Sequence, residues 1–111
     1  MYLKDERPFL TVSGEPAQGA DGDMGLGDII EACLNMYAPS QGQVITVKEW
    51  GKLNHVFDVL DAGPDDDGYF VFESEDYGVM KKVIGWTAAN VLRRNSPRFT
   101  ELVDASKNTK V

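Results

Sequence analysis

The sequence predicts a mostly helical α+β domain, with about four helices around one core and a short two-stranded β-ribbon. Three observations lead to this. Several segments repeat apolar residues at three- and four-residue spacing, which places those side chains on one face of a helix. Only two short segments, 9–12 and 69–73, are dense in β-branched and aromatic residues without that period. The 111 residues, 42% hydrophobic with a mean hydropathy of −0.30, suffice for one core and exclude a two-domain enzyme.

The first element expected is a strand, Phe9-Leu10-Thr11-Val12, ended by Ser13-Gly14-Glu15-Pro16. The glycine-rich run Gly19 to Gly25 follows. It offers little apolar area against the entropy glycine loses on ordering, so a mobile loop is expected there and residues 1–25 read as a partly flexible lead-in. A first helix opens at Leu26, because Leu26, Ile29, Ile30, Cys33, Leu34 and Tyr37 form a single stripe, and Ala38-Pro39 ends it. Thr46 and Glu49 form a capping box that starts a second helix over 47–62, with Val47, Trp50, Leu53, Phe57 and Leu60 inward and Gly63-Pro64 as the stop. Beyond the turn Asp65-Asp66-Asp67-Gly68, the run Tyr69-Phe70-Val71-Phe72-Glu73 reads as a strand, a candidate partner for 9–12. Ser74 caps a third helix that buries Met80, Val83, Ile84, Thr87, Val91 and Leu92. Ser96, followed by Pro97, caps a last helix burying Phe99, Leu102 and Val103. Residues 105–111 are expected as a frayed tail of this single domain, 1–111.

Charge is unevenly placed along the chain. The formal net charge is −7, yet residues 58–76 hold eight carboxylates with no basic residue among them, and the basic pairs Lys81-Lys82 and Arg93-Arg94 follow. Three readings of the acidic block are open. It is a solvated loop and helix end, an acidic docking face for a basic partner, or a phosphate-like array that occupies a nucleic-acid groove. A calcium loop fits badly, since placing Gly68 at the sixth position of an EF-hand puts Gly63 and Ser74 where the anchoring carboxylates belong. Direct nucleic-acid binding is disfavoured by the net charge and by Glu101 and Asp104 on the helix that would enter the groove.

The sequence is poorly equipped for catalysis. With one His and one Cys, sites built from several such ligands are excluded, and no CxxC, HExxH or Gly-x-Ser-x-Gly motif occurs. His55 points away from the second helix's stripe and reads as a surface residue, while Cys33 lies on the first stripe and reads as a small buried hydrophobe. No cofactor and no metal ligand set is expected. A small metal-dependent enzyme using the acidic cluster ranks third among the functional readings.

Two tryptophans separate by phase. Trp50 begins a core stripe and is expected inside. Trp86 lies off the Met80–Thr87 line and is expected as an exposed interface anchor. The candidate partner-binding set is therefore Asp65, Asp66, Asp67, Tyr69, Glu73, Glu75, Asp76 and Trp86, with the aromatics as the apolar centre and the acidic turn as the rim.

Gly14-Glu15-Pro16, Leu26-Gly27-Asp28-Ile29-Ile30, and Glu75-Asp76 ahead of Lys81-Lys82-Val83-Ile84 resemble the order of features in a loose group of small acidic phage-encoded accessory proteins. That resemblance covers about three quarters of the chain. It implies a phage origin and a non-enzymatic role, and carries over no functional residue. The expected function is a protein-interaction module, or an inhibitor, that binds a basic host or viral protein. The alternative is a subunit of a virion or other large assembly, with a second copy of the chain among its partners. The polar start, which has no apolar signal segment, and the absence of a long apolar run lead to the expectation of a host-cell cytoplasm and no membrane.

Overall fold

The computed structural model describes residues 1–19 and 22–109, and the α+β class holds. In chain order it contains β1 (Tyr2–Lys4), β2 (Gln18–Gly19), β3 (Gly22–Asp23), α1 (Leu26–Asn35), α2 (Val47–Ala62), β4 (Tyr69–Val71), α3 (Ser74–Leu92), a 3-10 turn (Arg93–Asn95) and α4 (Ser96–Asp104). The small β element is two antiparallel ribbons rather than one, β1 with β4 and β2 with β3. Helix α3 is the spine. It packs against α1, α2 and α4, and one hydrophobic cluster joins all of these to Leu3, Phe9, Phe70 and Phe72.

The strongest sequence signals appear where they were expected. Helix α2 spans Val47–Ala62, and its capping box is complete: Glu49 N donates to Thr46 Oγ1 at 3.2 Å, and Thr46 N donates to Glu49 Oε1 at 3.1 Å. Gly63 closes it at φ 81°, a backbone conformation that side-chain-bearing residues rarely adopt. Along α1, Leu26, Ile29, Ile30, Cys33 and Leu34 are all buried. Ser74 and Ser96 are each the first helical residue rather than the cap, so α3 and α4 start from Glu73 and Asn95 without a side-chain cap bond.

The strand pairing differs from expectation. The partner of β4 is Tyr2–Lys4, in the register Tyr2 to Val71, Leu3 to Phe70 and Lys4 to Tyr69, and not residues 9–12. Segment 9–12 instead folds back on itself. Thr11 N donates to Glu15 O and Gly14 N to Thr11 O, so the Ser13-Gly14 turn returns the chain and Leu10 bridges Pro16. Only Phe9 is buried there, against the edge of Phe99.

The lead-in is bonded to the body of the domain. Leu26 N donates to Glu6 O at 2.9 Å, and Gly27 N donates to the Asp5 carboxylate at 3.1 Å, so two amides that helix geometry leaves unpaired are met by residues 5 and 6. Arg7 ties the same corner, reaching Asp5 at 3.4 Å and Asp28 at 2.7 Å. At the other end of the chain, Lys107 exchanges backbone bonds with Tyr2 at 2.7 and 3.1 Å and extends the β1–β4 ribbon. Of the expected loop, Ala20 and Asp21 lie outside the described residues, as do Lys110 and Val111 of the expected tail.

Trp50 departs from the expected core position, and Trp86 is less exposed than expected. Trp50 is 41% exposed and Val47 is 91% exposed, because the buried line of α2 is Leu53, Val56 and Leu60, and at about 100° per residue both positions are rotated away from it. Trp86 is half-buried, tilted against Tyr37 at 6.0 Å and lying beneath the Lys82 ammonium at 5.4 Å.

Candidate functional site

The eight carboxylates of residues 58–76 fall into three environments. Some are absorbed by the fold. The Asp65 side chain accepts from Asp67 N at 3.0 Å and Tyr69 N at 2.9 Å, an Asx turn that shapes the entry to β4. Lys4 braces this turn by donating to the Asp67 carbonyl at 2.8 Å while lying 5.0 Å from the Tyr69 ring. Glu75 pairs with Lys52 of α2 at 2.5 Å, which holds its carboxyl below the usual value and raises the lysine.

A second group is exposed and unpaired. Among the described residues, Asp58, Asp61, Asp66 and Glu73 are exposed and form no ion pair. Asp58 and Asp61 lie three residues apart on α2, and Asp61 is in its last turn, which has no basic residue. A carboxylate there meets the negative end of the helix dipole, at a cost of about 0.3–1 kcal/mol. Its like-charged neighbour adds roughly 0.2–0.5 kcal/mol. Several of the chain's own cations are held elsewhere: Lys82 by Glu49, Lys81 by Asp104 at 2.7 Å, and Arg98 by the Leu10 carbonyl at 2.7 Å. None of these is turned toward Asp58, Asp61, Asp66 or Glu73.

Asp76 stands apart. It lies in the first turn of α3 with its side chain only 9% exposed, 3.4 Å from Nδ1 of His55, whose own side chain is 70% exposed. Both line a cleft of about 590 Å³ between α2 and the β4–α3 junction, with Tyr2, Val59, Val71 and Glu73 on its walls. The surface position expected for His55 is observed; its contact with a buried carboxylate crosses two helices and has no sequence signature.

The expected binding set is thus not one patch. Asp65, Asp66, Asp67 and Tyr69 share the turn braced by Lys4, Glu73 and Asp76 share the cleft, and Glu75 belongs to the α2–α3 seam. Trp86 is twelve residues along α3 from Ser74, about 18 Å at 1.5 Å per residue, and stacks with Tyr37 instead. A separate apolar corner is exposed where α1 leads into α2: Met36, Val44, Val47 and Trp50, with Trp50 set edge-on to Tyr37 at 6.0 Å. Phase along α2 misassigned Trp50 to the core, and Val44 lies outside any periodic segment.

Cys33 is buried, and burial pushes its thiol up to about 11 against an opposing hydrogen bond with Thr87. That environment suits packing rather than nucleophilic chemistry. Among the described residues, no group of three or more His, Cys, Asp or Glu side chains is placed to hold a metal ion, and no helix is long and apolar enough to cross a membrane. Comparison with protein-family models, curated proteins and solved structures finds no match to this chain.

Proposed function

We propose that this protein is a non-enzymatic interaction module that docks a basic protein surface on its acidic face, formed by the C-terminal half of α2, the Asp65–Asp67 turn and the cleft rim at Glu73. The supporting observation is the set Asp58, Asp61, Asp66 and Glu73, exposed and unpaired among the described residues while Lys52, Lys81 and Lys82 are paired with other carboxylates. Solubility alone would be served as well by carboxylates at helix N-termini. Asp61 instead occupies a position that costs the folded chain free energy, which fits a charge maintained for an external partner. A phage origin, a host-cell cytoplasmic location and an inhibitory role by occupying a nucleic-acid groove are the sharper form of this reading.

The test is recovery of bound protein from the cell that makes this chain. Wild type is compared with the variant carrying Asp58→Asn, Asp61→Asn, Asp66→Asn and Glu73→Gln. The expected partner has a basic surface, is released as salt rises from low to moderate concentration, and is lost from the variant. Equal recovery by both proteins would refute the reading.

A second reading, a subunit of a larger assembly, is favoured by the exposed corner of Met36, Val44, Val47 and Trp50. It predicts self-association or co-assembly that tolerates salt and is abolished by Val47→Asp with Trp50→Ser. Sedimentation velocity showing one unchanged species for both proteins would exclude self-association through this corner.

A further inference from the structure

We infer that the cleft between α2 and the β4–α3 junction receives the cationic head of a lysine or arginine side chain presented by the basic partner. This rests on the acidic-face reading and assigns that face a specific pocket. The Asp76 carboxylate is nine-tenths buried and lines the cleft, and no described residue forms a hydrogen bond to it; its one ionic neighbour is His55 Nδ1 at 3.4 Å. Among the described residues the one side-chain atom sealed from solvent without a partner is Ser106 Oγ, so the Asp76 oxygens keep a solvent-reachable edge in the cleft. A cation entering the cleft can pair with that edge, where water is otherwise the donor.

The other walls fit the rest of such a side chain. Val59, Val71 and the Tyr2 ring offer apolar surface for an aliphatic stem, and Glu73 is an exposed carboxylate at the mouth. The Met1 ammonium also lines the cleft, but it is held by the Phe72 carbonyl at 2.6 Å and leaves Asp76 without its charge-assisted bond. An anionic ligand would meet two carboxylates, and a purely apolar one would bury Asp76 further without a donor. A charged head on a stem of three or four methylenes satisfies both parts of the lining.

The experiment titrates the full chain, at constant ionic strength, with N-acetyl-arginine amide, N-acetyl-lysine amide and, as the uncharged control, N-acetyl-norleucine amide. Methyl NMR shifts of Val59 and Val71 are the readout. Saturable shifts with either cation and none with norleucine are expected, and the tighter cation identifies the side chain. Asp76→Asn should weaken binding at least tenfold. Val71→Trp, placed at a half-exposed strand position, should block the cleft while the remaining methyl spectrum reports an intact fold. Equal response to norleucine, or unchanged affinity in a folded Asp76→Asn or Val71→Trp variant, would overturn the inference. The triple variant Asp58→Asn, Asp61→Asn, Asp66→Asn separates the two claims: it should lose the partner yet bind the capped amino acid within about threefold of wild type. Loss of capped-amino-acid binding by wild type with salt-sensitive partner binding intact would overturn the cleft alone. The converse would overturn the acidic-face reading alone.

Discussion

Replacing glycine by alanine inside a helix should stabilise at one position in this protein and not at another. At Gly78 of α3, an added methyl group meets no atom within 4 Å. There, Gly78→Ala should stabilise by about 0.5–1 kcal/mol through helix propensity and a less disordered unfolded chain. At Gly27 of α1, the same methyl would lie 2.5 Å from Phe70 Cζ and 2.7 Å from Cε2, with Leu60 Cδ2 at 3.6 Å. The Phe70 ring is 3% exposed and packed beside Phe72, so it has no vacant space into which to swing. Overpacking of this kind costs about 1–3 kcal/mol, which offsets or exceeds the propensity gain and puts Gly27→Ala about 1–3 kcal/mol below Gly78→Ala. For a domain of this size the gap corresponds to roughly 4–8 °C in Tm per kcal/mol. Urea unfolding followed by circular dichroism measures it. Equal stabilisation by both substitutions would refute the close seating of α1 on β4.

Other outcomes follow from particular contacts. Asp5→Ala removes a 3%-exposed carboxylate that bonds Gly27 N and Arg7, and should cost about 1.5–3 kcal/mol in the same urea assay, whereas a truly flexible lead-in would leave the midpoint unchanged. Cys33, buried with a raised thiol, should resist Ellman's reagent in the native state and label in step with urea unfolding; rapid native labelling would contradict its burial. Glu49 is held below the usual carboxylate value by hydrogen bonds from Lys82 and the Thr46 amide, and Glu75 by Lys52. Carboxylates depressed in this way bind fewer protons folded than unfolded, so their contribution is present above about 4.5, the ordinary glutamate value, and is lost as pH falls through the folded values. A Lys52→Met, Lys82→Met variant should therefore show a flatter fall in urea midpoint between neutral and acid pH than wild type; parallel curves would count against this seam.

Legibility in the sequence followed the strength of local signals. Helix α2 was bounded to the residue because Thr46, Glu49 and Gly63 act within a few positions of the ends they define. Strand β1 was missed because Tyr2-Leu3-Lys4 buries only Leu3 and is followed by charged residues, and its pairing with β4 spans more than sixty residues. Trp50 was assigned to the core by phase alone. The apolar residues of α2 admit two stripes, one through Trp50 and Phe57 and one through Val56, and only the packing on α3 selects the second. The acidic block was visible as composition, but its division into an Asx turn, an unpaired face and a buried carboxylate depends on how α2 meets α3 and β4. The His55–Asp76 contact is the clearest instance, since neither residue carries any local mark of the other.

The central claim is that the unpaired carboxylates face a basic partner and not the protein's own cations. Partner affinity measured across a salt series, for wild type and for the variant with Asp58, Asp61, Asp66 and Glu73 neutralised, tests it most directly. Wild type should bind tightly and with a steep salt dependence, whereas the variant, with a urea midpoint equal to or above that of wild type, should bind weakly and with almost no salt dependence. Retained affinity with an unchanged salt slope in the neutralised protein would contradict it.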